Sequence, residues 1–182
     1  RPLMAGAAPG ALEAFLDRFE ADHRDTGDLR LLSVRAFALL GLGRLAEAEA
    51  CAGRILSVAA NYPHALEVRI EVARRRGDPA RALELAQAAL ELFPNYGPFL
   101  TLVCGLTEWL GRPAEAADLL DRAAGAHRTP PAELQQERLR AHLVAGNDAT
   151  VIALCEEVAR DRPRRGFWVY RLRDIAVTAL EL

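Results

Sequence analysis

The sequence predicts an all-α fold, an α-solenoid of stacked antiparallel helix pairs, on three observations. Gly43, Gly77, Gly111 and Gly146 are separated by 34, 34 and 35 residues. Ala48, Ala82, Ala116 and Val151 keep the same offsets. The text around the glycines also rhymes: Leu42-Gly43-Arg44-Leu45-Ala46-Glu47-Ala48, Gly77-Asp78-Pro79-Ala80-Arg81-Ala82 and Leu110-Gly111-Arg112-Pro113-Ala114-Glu115-Ala116. Self-similarity at such a period marks a repeat architecture, in which one unit cannot bury its apolar face alone and stacking does it.

Each element follows in order. Residues 1–9 are expected to be loosely held. Leu12, Phe15, Leu16 and Phe19 form an i, i+3, i+4, i+7 stripe, so Gly10 to His23 should be an amphipathic helix that caps the first unit or survives from a decayed repeat. Residues 10–27 are assigned to it. Four units then span 28–165, at about 29–62, 63–96, 97–131 and 132–165. In each, a helical run such as Leu32, Ala36 and Leu39, or Leu66, Ile70 and Ala73, precedes the glycine, which can close a helix in the left-handed region. Pro79 and Pro113 suit the first turn of the second helix, with Asp78 and either Asn147 or Asp148 as N-caps. Alanines such as Ala82, Ala86, Ala89 and Ala116 stand where helices approach closely. Phe93-Pro94 and Arg162-Pro163 end second helices, because proline cannot continue one. Residues 166–182, with Phe167 to Leu180 apolar-periodic and Trp168 among them, read as a further helix covering the last unit.

The period of 34, glycine in the turn, alanine five residues later and proline near the end of the unit resemble the tetratricopeptide repeat family. That resemblance covers about residues 28–182 and implies a right-handed superhelix whose first helices line a concave groove. The family's apolar fourth position is Leu32, Leu66, Leu100 and Gln135, and its seventh is Arg35, Arg69, Val103 and Arg138. Recurrence of arginine at the seventh position suggests pairing with carboxylates of an adjacent helix. Carried over residue by residue, the groove positions are Ser33 and Phe37, then His64, Glu67, Glu71 and Arg74, then Thr101, Glu108 and Trp109. The fourth unit adds Glu133, Gln136, Glu137 and Arg140, and the last helix adds Tyr170, Arg171 and Asp174. Such a polar, mixed-sign groove with aromatic points implies a protein partner, held as an extended peptide or a helix.

Composition narrows the function classes. The chain of 182 residues has 23 basic and 25 acidic side chains and a formal net charge of −2, which lacks the footprint of a nucleic-acid binder. All its basic residues are arginine, so lysine Schiff-base chemistry and a P-loop lysine are absent. Cys51, Cys104 and Cys155 form no C-x-x-C pair, and lone thiols in helical runs fit a reducing, cytoplasmic setting. No run of ~18 apolar residues is present for a membrane span. His64, Glu67 and Glu71 share a helix face that could seat a metal, but a fourth ligand is lacking and a solvated charged face is the ordinary expectation. Arg74-Arg75-Arg76 could meet phosphate or an acidic peptide, although arginines at a helix end also answer its dipole, which is the favoured expectation. Trp109 is split evenly between core packing and ligand contact.

No catalytic or cofactor motif is recognised. The expected function is therefore a binding scaffold for a protein or peptide, possibly a self-associating one, with no cofactor. The alternative is an accessory region of a larger enzyme, such as a transferase or hydroxylase, or of a transcriptional regulator. The chain opens Arg1-Pro2-Leu3 and stops at Leu182 within a periodic run, so it is read as part of a longer protein. Arginine in place of lysine and abundant alanine suggest a GC-rich bacterial source. The family's peptide clamp uses lysine and asparagine, but the fifth positions here are Ser33, Glu67, Thr101 and Gln136, and the ninth Phe37, Glu71, Gly105 and Arg140. Calorimetry with a free-carboxylate peptide should accordingly show no micromolar binding that amidation abolishes.

Overall fold

The computed structural model describes residues 9–23, 26–127 and 131–161, and among them every regular element is an α-helix. In chain order these are α1 (Pro9–His23), α2 (Leu29–Gly41), α3 (Leu45–Val58), α4 (Pro63–Arg75), α5 (Pro79–Leu92), α6 (Gly97–Trp109), α7 (Pro113–Gly125), α8 (Ala132–Val144) and α9 (Asp148–Asp161). Of the segment 1–9 expected to be loosely held, residues 1–8 lie outside the described residues, while Pro9 instead opens α1. The expected C-terminal helix from residue 166, with Trp168, Tyr170, Arg171 and Asp174, lies outside the described residues, as does Pro163. The chain divides into two compact units, Arg1–Phe99 and Leu100–Leu182.

Helices of 13 to 15 residues are marginal in water by themselves, so packing must hold them. The turn inside each pair supplies the geometry. Gly43, Gly77, Gly111 and Gly146 have φ of 73°, 80°, 77° and 72°, and no other described residue has a positive φ. Around each glycine the same two hydrogen bonds recur. Gly43 N–H donates to the Leu40 carbonyl at 3.0 Å, and Arg44 N–H donates to that of Leu39 at 2.9 Å. The corresponding pairs are Gly77 to Arg74 with Asp78 to Ala73, Gly111 to Glu108 with Arg112 to Thr107, and Gly146 to Leu143 with Asn147 to His142. This is the Schellman closure, which satisfies carbonyls the helix end would orphan. Asp78 then caps α5, its carboxylate accepting from Arg81 N–H at 2.9 Å.

In the first unit, the core joins Leu12 and Leu16 of α1 to Leu32, Ala36 and Leu39 of α2. Ala48, Cys51, Ala52 and Ile55 of α3 and Ala65, Val68 and Val72 of α4 complete it. The α1 contact is close: a Cβ on Gly41 would stand 2.6 Å from Leu12 Cδ1. In the second unit, Cys104 of α6, Ala116, Ala117 and Leu120 of α7 and Ala141 of α8 form one cluster. Leu139 packs with Val151, Leu154 and Cys155 in another. Ala48, Ala82, Ala116 and Val151 are all fully buried, which explains why the phase admits only small side chains there.

Glycines at turns and glycines within helices should respond in opposite directions. Gly77→Ala should cost about 1 kcal/mol or more, because alanine resists the left-handed conformation. Gly53, exposed within α3 with nothing within 4 Å of a new Cβ, should gain about 0.5–1 kcal/mol as alanine. Chemical denaturation of the two variants checks both signs.

Candidate functional site

The site positions divide between neighbouring first helices, α2 with α4 in the first unit and α6 with α8 in the second. On α2, Ser33 is buried and its hydroxyl donates to the Leu29 carbonyl at 2.8 Å. This helix-internal bond removes Ser33 from the groove positions that the resemblance implied. Phe37 is half-buried, and its ring meets His64 of α4 edge-on with centroids 6.1 Å apart. Tyr62 approaches His64 in the same manner at 5.8 Å. Two rings hold the exposed imidazole.

Farther along α4 the carboxylates are already engaged. Tyr96 Oη donates to Glu67 Oε1 at 2.6 Å, and burial first, then the Glu67 carboxylate, push the phenol up. Glu71 accepts from Arg74 Nε and Nη2 at 2.6 Å each and from Arg75 Nε at 2.7 Å. Burial works to raise the Glu71 carboxyl, but these hydrogen bonds outweigh it and hold it below the ordinary glutamate range. Arg75 Nη1 also donates to the Leu40 carbonyl at 2.5 Å, tying α4 to the end of α2. Arg76 pairs with Glu49 of α3 at 2.7 Å. All three arginines of the triplet thus meet carboxylates of their own unit. No group of three His, Cys, Asp or Glu among the described residues is arranged to hold a metal.

In the second unit, Arg140 of α8 grips Glu108 of α6 through Nη1 at 2.7 Å and Nη2 at 3.1 Å, a bidentate bond across neighbouring first helices. Its Nε donates to Glu137 at 3.0 Å. Trp109 is 56% exposed and Val144 54%, at equivalent last positions of α6 and α8. That exposure decides the even split for Trp109 against core packing. Thr101, Glu133 and Gln136 are exposed as well. Gly105, one turn before Trp109, has nothing within 4 Å of where a Cβ would stand, so the α6 backbone is open there. The ninth position of the four first helices therefore carries Phe37, Glu71, Gly105 and Arg140 on equivalent turns.

Behind this face two of the three recurrent arginines turn the other way, while Arg69 of α4 makes no carboxylate pair among the described residues. Arg35 pairs with Glu20 of α1, and Arg138 Nε donates to Asp121 of α7 at 2.6 Å. Each reaches the helix preceding its own. Sequence reasoning overlooked the partner of Asp121 on the next turn, the buried His142. Its Nε2 lies 3.1 Å from Asp121 Oδ2, and its Nδ1 accepts from Asn147 Nδ2 at 3.1 Å. A histidine on the apolar phase of a first helix was the signal available. Cys104 is buried against the Ala116 carbonyl, and burial, then the Glu108 charge, push its thiol up to about 12.

With this geometry in place, comparison with known proteins is informative. A tetratricopeptide repeat family profile matches residues 73–143. No curated protein sequence matches the chain. Among solved structures, a tetratricopeptide repeat protein of Parabacteroides merdae is 18% identical with a TM-score of 0.62, covering 96% of this chain and 66% of its own. A thermophilic protein of the same kind from Thermus thermophilus is 21% identical with a TM-score of 0.60, covering 94% and 90%. YrrB, a repeat protein described as having an unusual peptide-binding site, is 16% identical with a TM-score of 0.60, covering 93% and 85%. Identities this low establish likeness of fold.

The Glu71 cluster sets a pH dependence. A carboxyl held low in the folded state stabilises it above the unfolded-state pKa, and that contribution is lost as pH falls through the folded-state pKa. The difference in Tm between the protein and Glu71→Gln should therefore be widest near neutrality. It should close below the ordinary glutamate range, as read by calorimetry from neutral to acid pH.

Proposed function

From the premise that this is a helical repeat protein of the tetratricopeptide repeat family, we propose that it is a binding scaffold whose first-helix faces receive a peptide or helix of a partner protein. The observation that carries the reading is the α6–α8 surface. There an exposed Trp109 stands beside the Glu108–Arg140 pair, over a helix turn left open by Gly105. A large aromatic with rigid neighbours is the kind of anchor that dominates binding energy at interfaces. A mid-helix glycine weakens its helix, yet it lets a ligand approach the backbone. The face around Phe37, His64, Glu67, Glu71 and Arg74 offers a corresponding first-helix surface in the first unit. YrrB, described as a peptide binder, shares the fold, which supports the peptide mode for this chain.

The reading includes a non-catalytic role, without a cofactor, in which any chemistry belongs to a partner or to a further domain of a longer protein. It places the chain in the cytoplasm, a reducing setting that suits three buried free thiols. No described helix is long and apolar enough to cross a membrane.

A second reading, self-association, draws on a different patch. Val58 is 76% exposed and Leu92 53%, at the ends of the second helices α3 and α5. Light scattering over a concentration series would exclude it by a constant monomer mass.

Peptides selected from a displayed library on the full chain provide the test. Trp109→Ala and Gly105→Arg should each weaken the selected peptide at least tenfold with unchanged circular dichroism, while Val58→Ala leaves it unaffected. Equal binding by both first-helix variants would remove this face as the binding surface.

A further inference from the structure

The two first-helix faces differ in charge balance, and the difference points to the chemistry of the partner. Between α2 and α4, Glu67 and Glu71 face Arg74 and Arg75, an even match. Between α6 and α8, among the described residues, Glu108 and Glu137 both bond the Arg140 guanidinium, and Glu133 stands exposed at the start of α8 without an arginine of its own. Arg138 does not redress this, because it is turned away onto Asp121 of α7. The acidic excess is accessible: Glu133 is exposed, and the Glu137 side chain is 40% exposed against 14% for Glu108. Glu108 is largely consumed in fixing Arg140, whereas Glu133 and the second carboxylate oxygen of Glu137 still offer charge to a visitor.

Apolar chemistry lies alongside that charge. The Trp109 indole and the Val144 side chain are both more than half exposed, on neighbouring helices. An indole face attracts a guanidinium or ammonium through its quadrupole. Carboxylates on the earlier turns of α8 offer charge-assisted hydrogen bonds to a further cation. Acidic side chains along the same helix face would repel an acidic segment and select a cationic one.

We infer that the α6–α8 face takes a basic segment of the partner. One arginine or lysine side chain lies on the Trp109 indole, a second, nearer the start of α8, meets Glu133 and Glu137, and an adjacent apolar side chain packs on Val144. The open turn at Gly105 lets the segment's backbone approach α6. The inference rests on the first-helix face being the binding surface, and it adds the sign of the ligand.

The test uses the full chain carrying Trp168→Phe, which leaves Trp109 as the one tryptophan. Three end-blocked peptides of equal length serve as probes, alternating leucine with arginine, with glutamine or with glutamate. The arginine peptide should shift Trp109 emission saturably and at least tenfold more tightly than the other two, with affinity falling as salt rises. Glu133→Gln combined with Glu137→Gln should remove most of that advantage with circular dichroism unchanged. Equal or tighter binding of the glutamine or glutamate peptide would overturn the basic assignment while leaving the face as a binding surface. So would an arginine peptide indifferent to the two glutamate substitutions. If all three probes leave Trp109 silent while the library-selected peptide still depends on it, the basic assignment alone fails; if that dependence is also absent, both readings fail.

Discussion

The structure depends on one backbone constraint, repeated four times. Between the two helices of each pair, a glycine with φ between 72° and 80° lets the chain reverse while two amide protons reach back to carbonyls of the finished helix. A residue with a Cβ would resist that conformation, and without the reversal the second helix could not return against the first. No helix here is long enough to persist without its neighbour. The glycine turn is therefore what converts a set of marginal helices into pairs. The fully buried Ala48, Ala82, Ala116 and Val151 then let helices close on one another within each unit.

Electrostatics are divided between two sides of the first helices. Arg35 and Arg138 face backwards and bind the preceding helix through Glu20 and Asp121. The forward-facing groups, Glu71 with Arg74 and Arg75 or Glu108 with Arg140, connect within or between first helices. Exposed ion pairs contribute little to stability, typically about 0–1 kcal/mol. Their value here is positional. In the proposed binding role, a guanidinium held on two oxygens would present a fixed direction to the partner, so less freedom would remain to be lost on binding.

The fold class was legible because it rests on local chemistry repeated in phase. Glycine at 43, 77, 111 and 146 announces the turns, and each does adopt the positive φ that only glycine accepts easily. Recurrence of arginine at 35, 69 and 138 suggested pair-formers, and it held for Arg35 and Arg138 but not for Arg69, which has no carboxylate partner among the described residues. The site was legible only in outline. Ser33 holds a groove position by sequence, yet its hydroxyl finds the carbonyl one turn back and the residue is buried. Tyr96 and Glu67 are 29 residues apart, and Arg140 and Glu108 are 32 apart. Those bonds depend on rotamers of long side chains reaching between helices, which no periodicity encodes. The His142–Asp121–Asn147 arrangement escaped notice because each member reads as an unremarkable polar residue in its own helix or turn.

The ninth position of the first helices carries a consequence for how such a chain can change over time. Phenylalanine, glutamate, glycine and arginine occupy it in turn at residues 37, 71, 105 and 140, while the turns and the small buried side chains beneath stay alike. On the proposed binding role, architecture and recognition are thus written in separate letters of the same unit. A lineage could rewrite its ligand preference one letter at a time, never passing through an unfolded ancestor, and duplicating a unit would lengthen the message without altering its grammar.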